Sequence, residues 1–315
     1  MRLIWDIDPV IFRVPGPDWP IHYYGLMFSL TFLGGFFLYR WQIGRGGGSE
    51  EEVVSFIIPG FLGVILGARI GHILFYNLDY FLANPLWFFR IWEGGLTSHG
   101  ATLGLVAALY WQSRRKKRPF FDETDRFSFS AALGAALVRI GNLFNSEIVG
   151  KTAPDDAWVA FAFPRHDFLP PELAPYRYPT QIAEAALGFF VLFALFLADR
   201  LMGREKRPKG ALSAIFLVLY FSGRFAVEFW KERQNAEDVL FLSRGQMLSV
   251  VPFLAGVALM FHAFKRRNLP ESRADFGRGE RKKASAASRG SENARDSQAP
   301  GGKKKKKKSG GQKKR

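Results

Sequence analysis

The chain has 315 residues, 48% hydrophobic and 16% aromatic, with no cysteine and a formal net charge of +16. The missing cysteines exclude disulfides, thiolate metal sites and a thioester on the chain's own side chains. The scatter of five histidines (His22, His72, His99, His166, His262) excludes a dedicated zinc spacing, so no metal or other cofactor is expected. A nucleic-acid partner is not expected either: residues 265–315 hold 19 Lys and Arg against five acids, so +14 of the net charge belongs to the tail.

In chain order, the first 20 residues show no compact apolar core before a small-residue cleavage site, so no cleavable signal peptide is expected. Trp5, Ile11, Phe12 and Trp19 are expected to anchor this segment along a membrane interface. Seven apolar runs come next, at residues 21–39, 53–74, 96–111, 127–144, 181–198, 211–230 and 247–264. Each approaches the roughly 20 residues that carry a helix across a bilayer core. A backbone in lipid must satisfy its own hydrogen bonds, which favours helices. The expected fold is therefore all-α and polytopic, with seven transmembrane helices.

Positive charge orients them. Arg40 and Arg45 follow the first run, Arg114, Arg115, Lys116, Lys117 and Arg118 the third, and Arg200, Arg204, Lys206, Arg207 and Lys209 the fifth. The seventh is followed by Lys265, Arg266, Arg267 and the basic tail, whereas the even-numbered gaps carry fewer Lys and Arg for their length. This alternation puts the N-terminus outside and the C-terminus in the cytoplasm. The expected organisation is a seven-helix domain at 1–268, with a periplasmic segment at about 146–178, and a tail at 269–315. The tail is rich in Lys, Gly, Ser and Ala and poor in large apolar residues, so it is expected to be disordered. Its lysine run at 303–308 is expected near anionic lipid headgroups.

Ionisable groups within a span are costly and point to function. The orientation collects them at the outer ends: Tyr24 at the start of the first run, Arg69 and His72 in the second, His99 at the start of the third. Arg139, Asn142, Asn145 and Glu147 end the fourth, and Tyr220, Arg224 and Glu228 end the sixth. Arg224 and Glu228 are four apart and are expected to pair on one helix face. The guanidinium fork suits a phosphate, so Arg69, Arg139 and Arg224 read as a lipid-phosphate pocket. A closed Arg–Glu network tying helices together is the competing reading, of equal weight for Arg69. His99, flanked by Gly94, Gly95 and Gly100, is either a proton carrier or a helix-start cap. Tyr24 and Tyr220 are pocket members or interface anchors. A transporter would need polar residues through the inner halves of the runs, and those are Phe, Leu, Val, Ala and Gly.

At these residues the chain resembles the bacterial prolipoprotein diacylglyceryl transferases, from about residue 8 to residue 266. Residues 139–150 (RIGNLFNSEIVG) follow that family's G-R-x-x-N-F-x-N-x-E-x-x-G pattern. Supporting pieces are 22–26 (HYYGL), 67–71 (GARIG), 75–77 (FYN), 92–100 (WEGGLTSHG), 178–181 (YPTQ) and 224–229 (RFAVEF). Val138, Leu143, Ser146, Ala101 and Tyr178 depart from the family's usual residues. The resemblance implies an inner-membrane, multi-pass enzyme. It would move the diacylglyceryl group of phosphatidylglycerol onto the lipobox cysteine of a preprolipoprotein signal peptide, releasing glycerol phosphate. It implies substrate binding by Arg69, Arg139, Asn142, Asn145, Glu147, Gly150 and Arg224. It also implies catalysis by His99, Arg139, Arg224, Glu228, Tyr24 and Tyr220, with Glu228 positioning Arg224. Either His99 or Glu147 would be the base that generates the thiolate.

Overall fold

The computed structural model describes residues 1–232 and 242–267, so the expected disordered tail at 269–315 lies outside the described residues. The chain divides into a unit Met1–Phe264 and a unit Lys265–Arg315, and the first holds the described elements up to the last turn of the final helix. It opens with β1 (Arg2–Ile4), β2 (Val10–Val14) and β3 (Trp19–His22), then α1 (Tyr23–Arg45) and α2 (Glu50–Tyr76). A short α3 (Leu78–Ala83) and two 3-10 turns (Pro85–Phe89, Ile91–Glu93) lead to α4 (Ser98–Arg115) and α5 (Phe120–Phe144). Then come β4 (Ala160–Ala162), short α6 (Pro164–Asp167), β5 (Tyr176–Arg177), α7 (Thr180–Leu201), α8 (Ala211–Val227) and α9 (Arg244–Arg267).

The seven apolar runs coincide with the long helices α1, α2, α4, α5, α7, α8 and α9. Five helical segments (α2, α5, α7, α8 with its following turn, and α9) are long and apolar enough to cross a membrane. α1 (23 residues) and α4 (18 residues) are not among the five: α4 ends in Gln112, Arg114 and Arg115 and α1 carries Arg40, Gln42 and Arg45, which dilute their apolar character. Large apolar side chains such as Ile58, Phe190 and Leu254 stand exposed on the outward faces, as lipid contact requires.

Successive helix pairs run antiparallel. The Tyr23 ring, at the start of α1, stacks on Phe144 at the end of α5 with centroids 4.3 Å apart. Tyr39, near the end of α1, meets Phe56 near the start of α2. Gly63, Gly67 and Gly71 of α2 face Gly104 and Gly100 of α4 so closely that a Cβ at Gly104 would stand 1.9 Å from the Gly63 carbonyl oxygen. Small residues let these two backbones touch, the packing that lipid favours because it supplies no hydrophobic drive of its own. Gly188 of α7 meets Ala136 of α5, Gly223 of α8 meets Leu187 of α7, and Gly256 of α9 meets Leu217 of α8.

Two ends result. At one, β1, β4 and β5 form a small sheet, β1 parallel and β5 antiparallel to the central β4, while β2 and β3 form a hairpin. Under the sheet lie Val149, Phe161 and Phe163, with Leu3, Trp5 and Leu143 against them. Half-buried Trp5 is pinned to the body: its indole N–H donates to the Leu143 carbonyl at 2.8 Å and its ring packs on Phe144 and Phe161. Trp19 and Phe12 do remain exposed.

At the other end, several of the charges that orient the helices are also held in ion pairs. Arg45 holds Asp199 at 2.6 Å and Glu205 at 2.8 Å, and Arg126 holds Glu205 at 2.6 Å and Asp122 at 3.0 Å. Arg118 bridges Glu52 of α2 at 2.7 Å to Glu123 of α5 at 2.8 Å, and the Tyr39 hydroxyl donates to Glu123 as well. Asp125 accepts from the backbone N–H groups of Gly210 and Ser213, each at 2.8 Å, capping the start of α8. These pairs explain why α5 begins at Phe120, a full two turns before the apolar run at 127.

Candidate functional site

At the sheet-bearing end, α5 runs out at Phe144, and the residues after it fold back over its last turn. Ser146 (φ 53°) and Ile148 (φ 59°) both occupy the left-handed region, which non-glycine residues reach only under constraint. Between them the Glu147 carboxylate turns back along α5. Its Oε1 accepts from Asn142 Nδ2 at 3.0 Å and from Asn145 Nδ2 at 3.2 Å. The two amides and the acid singled out by spacing thus form one cluster. Tyr24 of α1 lies beside it, within the influence of Glu147, Arg139 and Asn142, its ring against Gly141.

Arg139 sits one turn back on the same face. Its Nη1 donates to Asn142 Oδ1 at 3.3 Å, and its Nε lies 3.3 Å from Oε2 of Glu184 on α7. Arg224 of α8 reaches the other oxygen of Glu184 at 3.8 Å, with Tyr220 next to it. Lys231 completes the group: its Nζ donates to both Glu184 oxygens at 3.2 Å. One carboxylate, 2% exposed, therefore faces three cations from three segments.

The expected pairing of Arg224 with Glu228 does not form. α8 ends at Val227, and Glu228, still in helical backbone geometry with its N–H on the Arg224 carbonyl, opens a 3-10 turn; its carboxylate makes no close ion pair with Arg224 among the described residues. Glu228 instead lies 3.7 Å from Lys231 and accepts from the Ser243 hydroxyl at 3.1 Å. Arg69 is also not part of the cluster. Its guanidinium donates to the carbonyls of Phe88 at 3.0 Å and Gly94 at 2.8 Å and to that of Trp87, whose ring it covers. It ties the 85–95 segment to α2, the closed structural reading, with a main-chain partner set in place of carboxylates. Gly150 lies between backbone segments: its N–H donates to Tyr178 O at 3.0 Å, and a Cβ there would stand 2.3 Å from that oxygen. The close approach lets residue 150 bridge to residue 231, which delivers Lys231 to Glu184. His99, exposed in the first turn of α4, lies near enough to Arg224 to feel its charge.

Glu184 and Lys231 were missed by the sequence reading. Glu184 is the sole ionisable residue in the run 181–198, so the cost of an intramembrane charge could have flagged it. Nothing local to Lys231 marks it, because its burial depends on the contact with Gly150.

Chemically, the cluster offers guanidinium donors only loosely held, at 3.3 and 3.8 Å, in a buried setting. Three buried acceptors nearby, Asn145 Oδ1, Gln181 Oε1 and Glu228 Oε2, have no hydrogen-bond partner among the described residues. Loosely held cations beside acceptors that lack a hydrogen bond suit a ligand that is anionic and also carries hydroxyl donors.

Comparison with known proteins gives a consistent result. The sequence profile of a family described as "Prolipoprotein diacylglyceryl transferase" matches residues 9–262. A protein of Pseudoalteromonas atlantica named phosphatidylglycerol–prolipoprotein diacylglyceryl transferase is 39% identical over 273 residues, covering 85% of this chain and 93% of its own. Proteins of the same name from Vibrio cholerae (38% identity, 83% of this chain and 93% of theirs) and Cronobacter sakazakii (36%, 83% and 95%) are similar over the same span.

Proposed function

The chain belongs to the prolipoprotein diacylglyceryl transferase family, and on that premise we propose that it moves the diacylglyceryl group of phosphatidylglycerol onto the lipobox cysteine of preprolipoproteins. This is the first step of lipoprotein maturation, and the enzyme is a phosphatidylglycerol–prolipoprotein diacylglyceryl transferase. The observation that carries the reading is the pair Arg139 and Arg224 meeting at buried Glu184 with donors to spare.

The chemistry follows from the charges. The substrate thiolate attacks the diacylglyceryl carbon that bears the phosphate ester; a C–S bond forms and the C–O bond breaks. The bonding electrons stay on the phosphate oxygen, so the phosphate, singly charged as a diester, gains a second charge as it leaves. Arg139 and Arg224 hold the phosphate and are placed to stabilise that added charge, the change between ground and transition state that a site must favour. Asn142 and Asn145 orient the glycerol or phosphate oxygens, with Glu147 fixing both amides. Tyr24 and Tyr220 stand as further hydrogen-bond donors. The thiol, with an ordinary pKa near 8.5, needs a base. His99 and Glu147 are both candidates, and a pH–rate profile that loses its acid limb in His99→Gln but not in Glu147→Gln would assign the role to His99.

The same reading makes 1–268 a seven-span body in the bacterial inner membrane. Its sheet-bearing end, including about 146–178, would face the periplasm, and the basic tail at 269–315 would lie against anionic lipid in the cytoplasm. Antiparallel contacts along the seven long helices and the alternation of basic gaps support it. Incubating the purified protein with phosphatidylglycerol and a lipobox peptide should add one diacylglyceryl mass to the peptide and none to its Cys→Ser version. An unmodified Cys peptide would reject the activity.

A further inference from the structure

Glu184 holds its three cations unequally. Lys231 makes hydrogen bonds to both carboxylate oxygens, at 3.2 Å each, whereas Arg139 at 3.3 Å and Arg224 at 3.8 Å face them as ion pairs without a hydrogen bond among the described residues. At the opposite end of the bundle Arg45, Arg118 and Arg126 each reach a carboxylate at 2.6 to 2.7 Å, although buried Arg207 there stands 3.1 Å from Asp199 and 3.7 Å from Asp125. A carboxylate and a phosphate present the same pair of acceptor oxygens to a guanidinium fork. Glu184 therefore sets the arginines in a geometry that a phosphate can take over.

Resting on the transferase reading above, we propose that Glu184 is the positioning residue that presents Arg139 and Arg224 to the lipid phosphate, and that Lys231 keeps its carboxylate neutralised while both guanidiniums turn to substrate. Without Glu184, three cations in a poorly solvated pocket repel one another and the two forks lose their common aim. Without Lys231, a carboxylate 2% exposed would be left with no cation once the arginines moved, a costly arrangement. Gly150 belongs to the same device, since only a residue without Cβ allows the bridge that seats Lys231.

The test separates positioning from stability. The full chain in detergent is titrated with short-chain (dihexanoyl) phosphatidylglycerol, and its melting temperature is recorded without lipid. Glu184→Gln alone should lower the melting temperature, because it leaves buried Lys231 with only Glu228, 3.7 Å away. The double variant Glu184→Gln/Lys231→Met removes both charges and should melt above the single variant. It should nevertheless bind the lipid at least about tenfold more weakly, because the arginines are no longer aimed. Glu184→Asp retracts the carboxylate by one methylene and should weaken lipid binding in a folded protein, which covers the case of a double variant that does not fold. Wild-type lipid affinity in the folded double variant, or in Glu184→Asp, would overturn the proposal. A wild type that binds the lipid yet leaves a lipobox peptide unmodified would reject the transferase reading, while the affinity comparison would still decide the role of Glu184.

Discussion

At the scale of single residues, arginines of like appearance have opposite fates. Arg69 is 1% exposed and directs its donors at main-chain carbonyls, so it has little left for a ligand. Arg139 keeps one nitrogen toward Asn142 and one toward Glu184, with Nη2 making no hydrogen bond among the described residues. Arg139→Ala should therefore fold and lose transfer by roughly 10²- to 10³-fold, the usual cost of removing one donor aimed at a developing charge. Arg139→Lys should not restore it, since a point charge lacks the fork. Arg69→Ala should do the reverse: it leaves buried carbonyls unpaired, at about 1–3 kcal/mol for each group stranded. A melting curve in detergent should show that loss, and the folded fraction should keep its KM for phosphatidylglycerol. A lowered melting temperature in Arg139→Ala with transfer intact would reverse the two assignments. Spacing within one helix brought Arg139 and Asn142 together correctly. It placed Tyr220 and Glu228 near Arg224 but missed Glu184, because that carboxylate comes from another helix.

At the scale of elements, α2 and α4 are held by backbone contact through Gly63, Gly67, Gly100 and Gly104. This seam positions His99, which opens α4, and Arg69, which lies on α2. Gly104→Ala must push the two helices apart, since its Cβ would stand 1.9 Å from a carbonyl oxygen that cannot yield. A loss of about 2 kcal/mol or more is expected, read as lower melting temperature and yield. Gly44→Ala is the control: nothing lies within 4 Å of its Cβ, and the change should be neutral or stabilising by about 0.5–1 kcal/mol. Equal effects of the two substitutions would show that the seam does not hold α4. Hydropathy located these helices and underestimated their ends. The charged first turns of α5 escaped it because their favourable energy comes from pairing with Glu205 and Gln42, residues distant in sequence.

At the scale of the whole molecule, the two ends differ in their charges: an extended ion-pair network around Arg45, Arg118, Arg126 and Arg207 at one, three cations sharing Glu184 at the other. Burial raises the pKa of Glu205, but hydrogen bonds from Arg126 and Arg45 outweigh it, and the net effect is a value below the ordinary carboxylate range. A depressed folded-state value contributes stability that is present above the unfolded pKa, about 4.3, and is lost as pH falls through the folded one. Melting temperature should thus drop on acidification below about pH 4, and Glu205→Gln should flatten that limb; an unchanged limb would exclude Glu205 as its source. The cysteine-free background permits a direct test of orientation. Trp158→Cys should react with a membrane-impermeant maleimide in cells with a permeable outer membrane, and Arg114→Cys only after the inner membrane is opened. The reverse pattern would put the candidate site on the wrong face for a periplasmic reaction. What the sequence alone determined was which segments are helical and which polar residues sit near their ends, because transfer to an apolar phase sums over neighbouring residues and needs no partner. Only the tertiary structure decided that Glu184 gathers Arg139, Arg224 and Lys231, that Glu228 sits closer to Lys231 than to a salt bridge with Arg224, and that Arg69 is committed to a loop. The identity of an ion's partner depends on which helices lie side by side, and spacing along one strand of chain carries no record of that.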